Sequence, residues 1–324
     1  MAKTFVTDLV ARQTVDSTFA VRRKSLSPFR NKPGEYLTVL LADRTGEVSG
    51  RVWDNAPQVA AAFEVGDVVR VRGRVDEYQG QLQLILQQVE KHTAEVDPAD
   101  YVRRSSRDPE ALLQRLEAAI AEVEDPHLRG LLESFFGDPA FAARFADAAG
   151  AKALHHCFVG GLLEHTVGVL EVLLTVHQQH PELDRDLLIA GTLLHDIGKI
   201  EELAVGTSID YTDTGRLIGH TVLTDRQVRR RIAELPEFPP ATADLLMHMI
   251  LSHHGKREFG APIEPMTPEA CALHYADNLD AHVQYFLQVV AEGEGGASRW
   301  SDYLRLFDRH LYLGARPRPE PAGS

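Results

Sequence analysis

His195 and Asp196 stand side by side in HDIGK (195–199), directly after the apolar run LLIAGTLL (187–194). A carboxylate in such surroundings is heavily penalised unless a cation or strong donors face it. A neighbouring neutral imidazole can serve that same cation. Further histidines in apolar helical context could join them: His165 in LLEHTVGVL, His220 in LIGHT, and the pair His253 and His254 ending ADLLMHMILSHH, with Gly255 placed to stop that helix. A second carboxylate, Asp277, lies in ACALHYADNLDAHV. A lone histidine on an apolar helix is more often a hydrogen-bonded core residue than a ligand. A whole series of them, with two aspartates that burial would otherwise leave unpaired, is more simply explained by one shared cause. Imidazoles and carboxylates in this number can hold one or two divalent ions, which lower the pKa of a bound water and polarise a phosphoryl oxygen. The chemistry expected is metal-assisted hydrolysis.

The elements that must position these residues are helices. From residue 155 to 290 the pattern is helix after helix, and runs such as 187–194 and 243–251 have so few polar positions that these helices are expected to be largely buried. Thirteen of the 15 histidines fall between 155 and 310. Residues 93–150 read as a helical connector that becomes the first part of this domain, interrupted by Pro109, Pro126 and Pro139; the domain itself is expected over 151–314. The tail 315–324 has no core-forming pattern and is expected to be disordered.

Residues 1–92 read differently. Five strand-like segments, at 15–26, 36–41, 47–53, 68–75 and 81–89, with a helical stretch at 56–63 between the third and fourth, fit a small closed barrel of the oligonucleotide-binding (OB) type. The alternation assigns faces: Val69, Val71 and Val75 inward against Arg70, Arg72 and Arg74; Leu82, Leu84 and Leu86 inward against glutamines; Val48 and Val52 inward against Arg51 and Trp53. Guanidiniums hold phosphates and aromatic faces stack bases, so Arg51, Trp53, Arg70, Arg72 and Arg74 are candidates to bind a single strand. The fold class expected is thus multidomain: an OB-type barrel followed by an all-α domain.

The chain has 324 residues, enough for two domains, and a net charge of -13 spread unevenly. Residues 1–92 hold 13 Lys/Arg and 11 Asp/Glu, so the negative balance falls on the helical part, and contact with a polyanion must use a local patch. No apolar run approaches 18 residues, so no membrane span is expected, and the N-terminus lacks the pattern of a signal peptide. The two cysteines, Cys157 and Cys271, sit in apolar context and are expected to be buried thiols in a cytoplasmic protein. There is no Walker loop, GxGxxG turn, GxSxG elbow or CxxC pair.

The motifs HHCFVGGLLEHT, LLHDIGK, GRLIGHT, MILSHHG and HYADNLDA, behind a barrel containing LADRTGEVSGRVWD, resemble the HD superfamily of metal-dependent phosphohydrolases, and within it the YhaM-type 3′–5′ exoribonucleases. The resemblance runs over about residues 5–312. It implies primary ligands at His165, His195, Asp196 and Asp277, a second ion at His220, His253 and His254, and Asp196 as the bridging carboxylate. It places Lys199 near the scissile phosphate. It favours Mn²⁺, since ligand type alone also admits Fe, Co, Ni or Zn. Arg226, Arg229, Arg230 and Arg231 could guide a backbone, His155 and His156 could line the site, and Tyr211 or Tyr275 could stack on a base; each also has an ordinary structural explanation.

Three functions compete: an exonuclease on single-stranded RNA or DNA; a nucleotide phosphohydrolase or cyclic-nucleotide phosphodiesterase with a regulatory barrel; and a binding module whose metal is structural. The full ligand series argues against the third. The barrel favours the first over the second, because a mononucleotide needs no single-strand groove. Homo-oligomerisation is left open.

Overall fold

The computed structural model describes residues 3–29, 31–78, 80–152, 156–293 and 298–314; His155 and the tail fall outside them. The first unit is a closed barrel of β1 (Thr14–Pro28), β2 (Glu35–Asp43), β3 (Gly46–Val52), β4 (Val68–Tyr78) and β5 (Gln81–Lys91), in the order β1-β2-β3-β5-β4, with a short helix α1 (Ala56–Ala61) after the third strand. Closure depends on the length of β1, which pairs with β4 through its first half and with β2 through its second. The β3–β5 pairing is parallel. Asp43 sets the β2–β3 turn by accepting from the backbone and hydroxyl of Thr45. At Gly73 the ladder shifts register; a Cβ there would lie 2.2 Å from the Ile85 carbonyl oxygen.

The valines of β4 fill the barrel, as the alternation implies, together with Leu84 and Leu86. Leu82 does not join them. It pairs with Glu77 near the tip of the β4–β5 hairpin, beyond the barrel wall, and is exposed.

The helical unit comprises α2 (Pro109–Ala121), α3 (Pro126–Phe136), α4 (Pro139–Asp147), α5 (Gly161–Gln179), α6 (Arg185–Leu194), α7 (Lys199–Glu202), the two-stranded hairpin β6 (Leu203–Val205) and β7 (Ile209–Tyr211), α8 (Asp213–Ile218), α9 (His220–Glu234), α10 (Pro240–Ser252) and α11 (Pro268–Glu292). The prolines that interrupt the pattern at 109, 126 and 139 are helix starts. Each occupies the first turn, where no amide donor is needed, behind an aspartate (Asp108, Asp125, Asp138) that caps the helix. One apolar core runs from Leu116, Leu131 and Phe145 through Leu163, Leu170 and Leu188 to Ile250 and Leu273, so α2–α4 pack as one body with the later helices.

The expectation of two buried thiols fails. Cys157 is only half-buried, and Cys271 is exposed on the outer face of α11, along the line of Tyr275, Leu279 and Val283. Apolar neighbours in sequence did not place it inside, because a helix sends adjacent residues in different directions. Among the described residues no helix is long and apolar enough to cross a membrane. The β6–β7 hairpin docks on the barrel: Thr207 Oγ1 donates to the Gly66 carbonyl at 3.1 Å, and Arg22 donates to the Thr207 and Tyr101 carbonyls.

Candidate active site

Five helices bring the chemistry-bearing residues to one place. α6 is buried along Leu187–Leu194, and its C-terminus therefore delivers His195 and Asp196 into the core, 0% and 2% exposed. α5 contributes His165 from its buried face, α9 begins at His220, α10 ends at His253 and His254, and α11 contributes Asp277. Gly255 leaves α10 with φ +78, and any Cβ there would strike the His274 ring.

Asp196 is the hub. Its Oδ2 lies 3.3 Å from His195 Nε2 and 3.7 Å from His165 Nε2; its Oδ1 lies 3.4 Å from His220 Nε2 and 3.6 Å from His253 Nε2. Asp277 Oδ1 is 3.1 Å from His165 Nε2. Donor atoms fall into two neighbouring triads, His165–His195–Asp277 and His220–His253–His254, each within 4.8 Å. All seven residues singled out for a metal, His165, His195, Asp196, His220, His253, His254 and Asp277, share this cluster, and Lys199 joins it with Nζ 2.6 Å from Asp196 Oδ2.

Each imidazole is turned the same way. The Nδ1 atoms face acceptors: His165 the Asp280 carboxylate, His195 the Thr192 carbonyl, His220 the Glu202 carboxylate, His253 the Ile250 carbonyl and His254 the Phe259 carbonyl. A carbonyl or ionised carboxylate only accepts, so Nδ1 carries the hydrogen and Nε2 is presented to the cluster. His195 Nε2, His253 Nε2 and Asp196 Oδ1 are buried and have no hydrogen-bond partner among the described residues. His220 Nε2 and His254 Nε2 face each other at 3.0 Å, where two lone pairs repel unless a proton or a cation lies between them. Buried lone pairs converging without donors fit a divalent cation with nitrogen and oxygen ligands.

The electrostatics agree. Burial alone would raise the Asp196 carboxyl, but the Lys199 ammonium and the His195 ring outweigh it and hold it well below its ordinary value. Burial opposes the Lys199 charge too, and Asp196 more than restores it. Burial drives His253 well down, so its ring is neutral, and it lowers His254 with help from His220. His165 differs: Asp277 and Asp280 overcome burial and raise it to about 9. A cation bound there would displace that proton.

The residues proposed for single-strand binding separate into two groups. Arg51 and Trp53 belong to an aromatic cluster on the outside of β2 and β3. Trp53 stacks on Phe29 with ring centres 6.1 Å apart and packs on Tyr36 at 5.3 Å. The Arg51 guanidinium lies 5.7 Å from the Trp53 ring, and Lys32 sits 4.0 Å over Phe29. Arg70 and Arg72, by contrast, both grip Asp16, at 2.7 and 2.8 Å. Arg74 is exposed and is separated from Arg51 by one strand, both standing opposite Ile85. In the helical unit, Arg229 pairs with Asp225, while Arg230 and Arg231 reach Glu234.

Sequence reasoning passed over Asp280, Glu202, Phe29, Lys32 and Tyr36. The three-residue offset from Asp277 to Asp280 was the visible signal for Asp280; the aromatic spacing around the β1–β2 turn was the signal for the cluster. His156 does not line the cluster: its Nε2 meets Asp280, behind His165.

A family profile described as HD domain matches residues 162–282, and one described as OB-fold nucleic acid binding domain matches residues 20–91. The protein named 3′-5′ exoribonuclease YhaM from Bacillus velezensis is 34% identical over 286 residues, which is 87% of this chain and 88% of that protein. Among solved structures, the second OB-fold domain of replication protein A from Methanococcus maripaludis is 18% identical, covering 30% of this chain and 100% of its own, at a TM-score of 0.24. Asparaginyl-tRNA synthetase from Pyrococcus horikoshii is 15% identical, covering 48% of this chain and 37% of its own, also at 0.24.

Proposed function

The chain belongs to the YhaM family of 3′–5′ exoribonucleases, and from that premise we propose that its barrel captures single-stranded RNA and its helical unit hydrolyses the strand at a centre of two divalent ions, Mn²⁺ by preference. It is a metal-dependent hydrolase with an OB-fold nucleic-acid-binding domain. The observation that carries the site assignment is the convergence of buried, unpartnered Nε2 and carboxylate atoms around Asp196. His165, His195, Asp196 and Asp277 would hold one ion and His220, His253 and His254 the other, with Asp196 between them. When bound, the ions supply a water of lowered pKa and a polarised phosphoryl oxygen.

The rest is done by the chain itself. Lys199, held at Asp196 and 9% exposed, offsets charge where the scissile phosphate would lie. Glu202 fixes His220 twice, accepting from its backbone amide at 2.9 Å and from Nδ1 at 3.0 Å. On the barrel, Phe29, Tyr36 and Trp53 offer stacking faces, with Arg51 and Lys32 beside them for phosphates. Arg74 extends that basic surface, whereas Arg70 and Arg72 are engaged by the one Asp16 carboxylate they share.

The test uses 5′-labelled single-stranded RNA and DNA of one sequence, with Mn²⁺ or with chelator. A ladder of products shortened from the 3′ end, formed on RNA only with metal, is expected. Strands left at full length with Mn²⁺ while a cyclic nucleotide is hydrolysed under the same conditions would reject the reading in favour of a nucleotide phosphohydrolase.

A further inference from the structure

Behind the cluster-facing side of His165 lies a second buried group. Asp280 sits one turn beyond Asp277 on α11, so a single helix presents a carboxylate to each nitrogen of one ring: Asp277 Oδ1 at 3.1 Å from His165 Nε2, and Asp280 Oδ2 at 2.7 Å from His165 Nδ1. The same Asp280 oxygen accepts from His156 Nε2 at 2.9 Å. The His156 and His165 rings stand 5.2 Å apart.

The backbone gives up a good deal to place His156 there. The residue is 2% exposed and has φ +48, a left-handed conformation that L side chains rarely adopt. Three glycines clear the space. A Cβ on Gly150 would lie 2.7 Å from the His156 Cβ, one on Gly161 would lie 2.1 Å from the His156 carbonyl oxygen, and one on Gly168 would lie 2.6 Å from Asp280 Oδ1. A plain apolar contact would need neither the strained backbone nor a polar ring, so the hydrogen bond to Asp280 is the feature these positions serve.

We propose that His156 is a positioning residue for the metal centre: by donating to Asp280 it fixes the carboxylate that orients His165, and so keeps His165 Nε2 aimed at Asp196 and Asp277. The proposal rests on the reading of His165 as a metal ligand. With two donors on one oxygen, Asp280 has a single orientation available, and its hydrogen bond fixes both the tautomer and the tilt of the His165 ring. Outer partners of this kind tune a ligating imidazole through orientation and basicity, and their loss typically weakens metal binding 10–100-fold.

Because His156 donates through Nε2, a glutamine amide reaches the same position and a leucine does not. The experiment measures Mn²⁺ binding by calorimetry on the full chain stripped with chelator, together with the thermal midpoint of the metal-free protein. His156→Leu is expected to bind Mn²⁺ about 10–100-fold more weakly, and His156→Gln to stay within about threefold of the parent. Asp280→Leu, which keeps about the same shape but offers no acceptor to either ring, serves if the His156→Leu variant fails to fold, and is expected to lose about as much. A purely structural role would lower the metal-free midpoint of both His156 variants without separating their affinities, and that result overturns the proposal. So does an affinity within about twofold of the parent in His156→Leu or Asp280→Leu. His165→Ala is the separate control: parental affinity in that variant would remove the ligand reading itself.

Discussion

Asp196→Asn keeps the shape of the side chain and removes its charge, leaving Lys199 facing an amide. In the native protein the two groups are 2.6 Å apart and both are buried. Removing one partner of a buried ion pair costs about 3–5 kcal/mol, because the other charge is stranded. That is a large part of the ~5–15 kcal/mol by which folded domains are stable. With a urea m-value of about 2 kcal/mol/M, the metal-free variant is expected to lose roughly 1.5–2.5 M in its unfolding midpoint. Adding Lys199→Met removes the stranded ammonium, and with that uncompensated buried charge gone most of the loss should return. Hydrolysis should not return with it. Both variants lack the hub of the cluster and are expected to degrade RNA at least ~10³-fold more slowly, about 4 kcal/mol of lost transition-state stabilisation. The assays are urea unfolding in chelator and digestion of end-labelled RNA with Mn²⁺. A single variant with an unchanged midpoint, or a double variant regaining activity to within about tenfold of the parent, would refute the reasoning.

On the barrel, Trp53→Ala should weaken single-strand binding by about 1–3 kcal/mol with little change in its salt dependence, whereas Arg51→Ala should reduce the salt slope by about 0.7, one phosphate's worth. Arg72→Ala should reduce that slope by less than Arg51→Ala does, because its guanidinium is already engaged by Asp16, which it shares with Arg70; fluorescence anisotropy across a salt series separates the three. Gly168→Ala should lower Mn²⁺ affinity while leaving RNA binding by the barrel intact, since the added methyl would press on Asp280; equal metal titrations for variant and parent would contradict it. Burial lowers Lys3, which lies over the Tyr101 ring, from 10.5 to about 8. Its folded value is below its unfolded one, so the unfolded chain binds more protons between those limits and stability rises with pH across them. Lys3→Met should therefore be more stable than the parent at neutral pH, and the difference in urea midpoint should shrink as pH rises towards 10; a constant difference would show that Lys3 does not titrate in this way.

The sequence by itself determined the local features. Period-two alternation put Val69, Val71 and Val75 inside the barrel, because a strand sends neighbours to opposite faces whatever it packs against. The apolar run before His195 meant that Asp196 would be buried, and a buried carboxylate needs a cation, so the type of chemistry could be read before any distance was known. Tertiary structure decided what pairs with what. His165 and Asp280 are 115 residues apart, and nothing in local spacing says which of two aspartates on one helix meets which nitrogen of the ring. The outer faces of β3 and β4 look equally basic until Asp16 is seen to hold both Arg70 and Arg72, leaving Arg51 with its aromatic neighbours. Leu82 obeys the alternation and is still exposed, because the strand continues past the end of the barrel. Periodicity fixes a direction around one element, but a partner is chosen by how elements pack in three dimensions, and that choice depends on residues far apart in the chain.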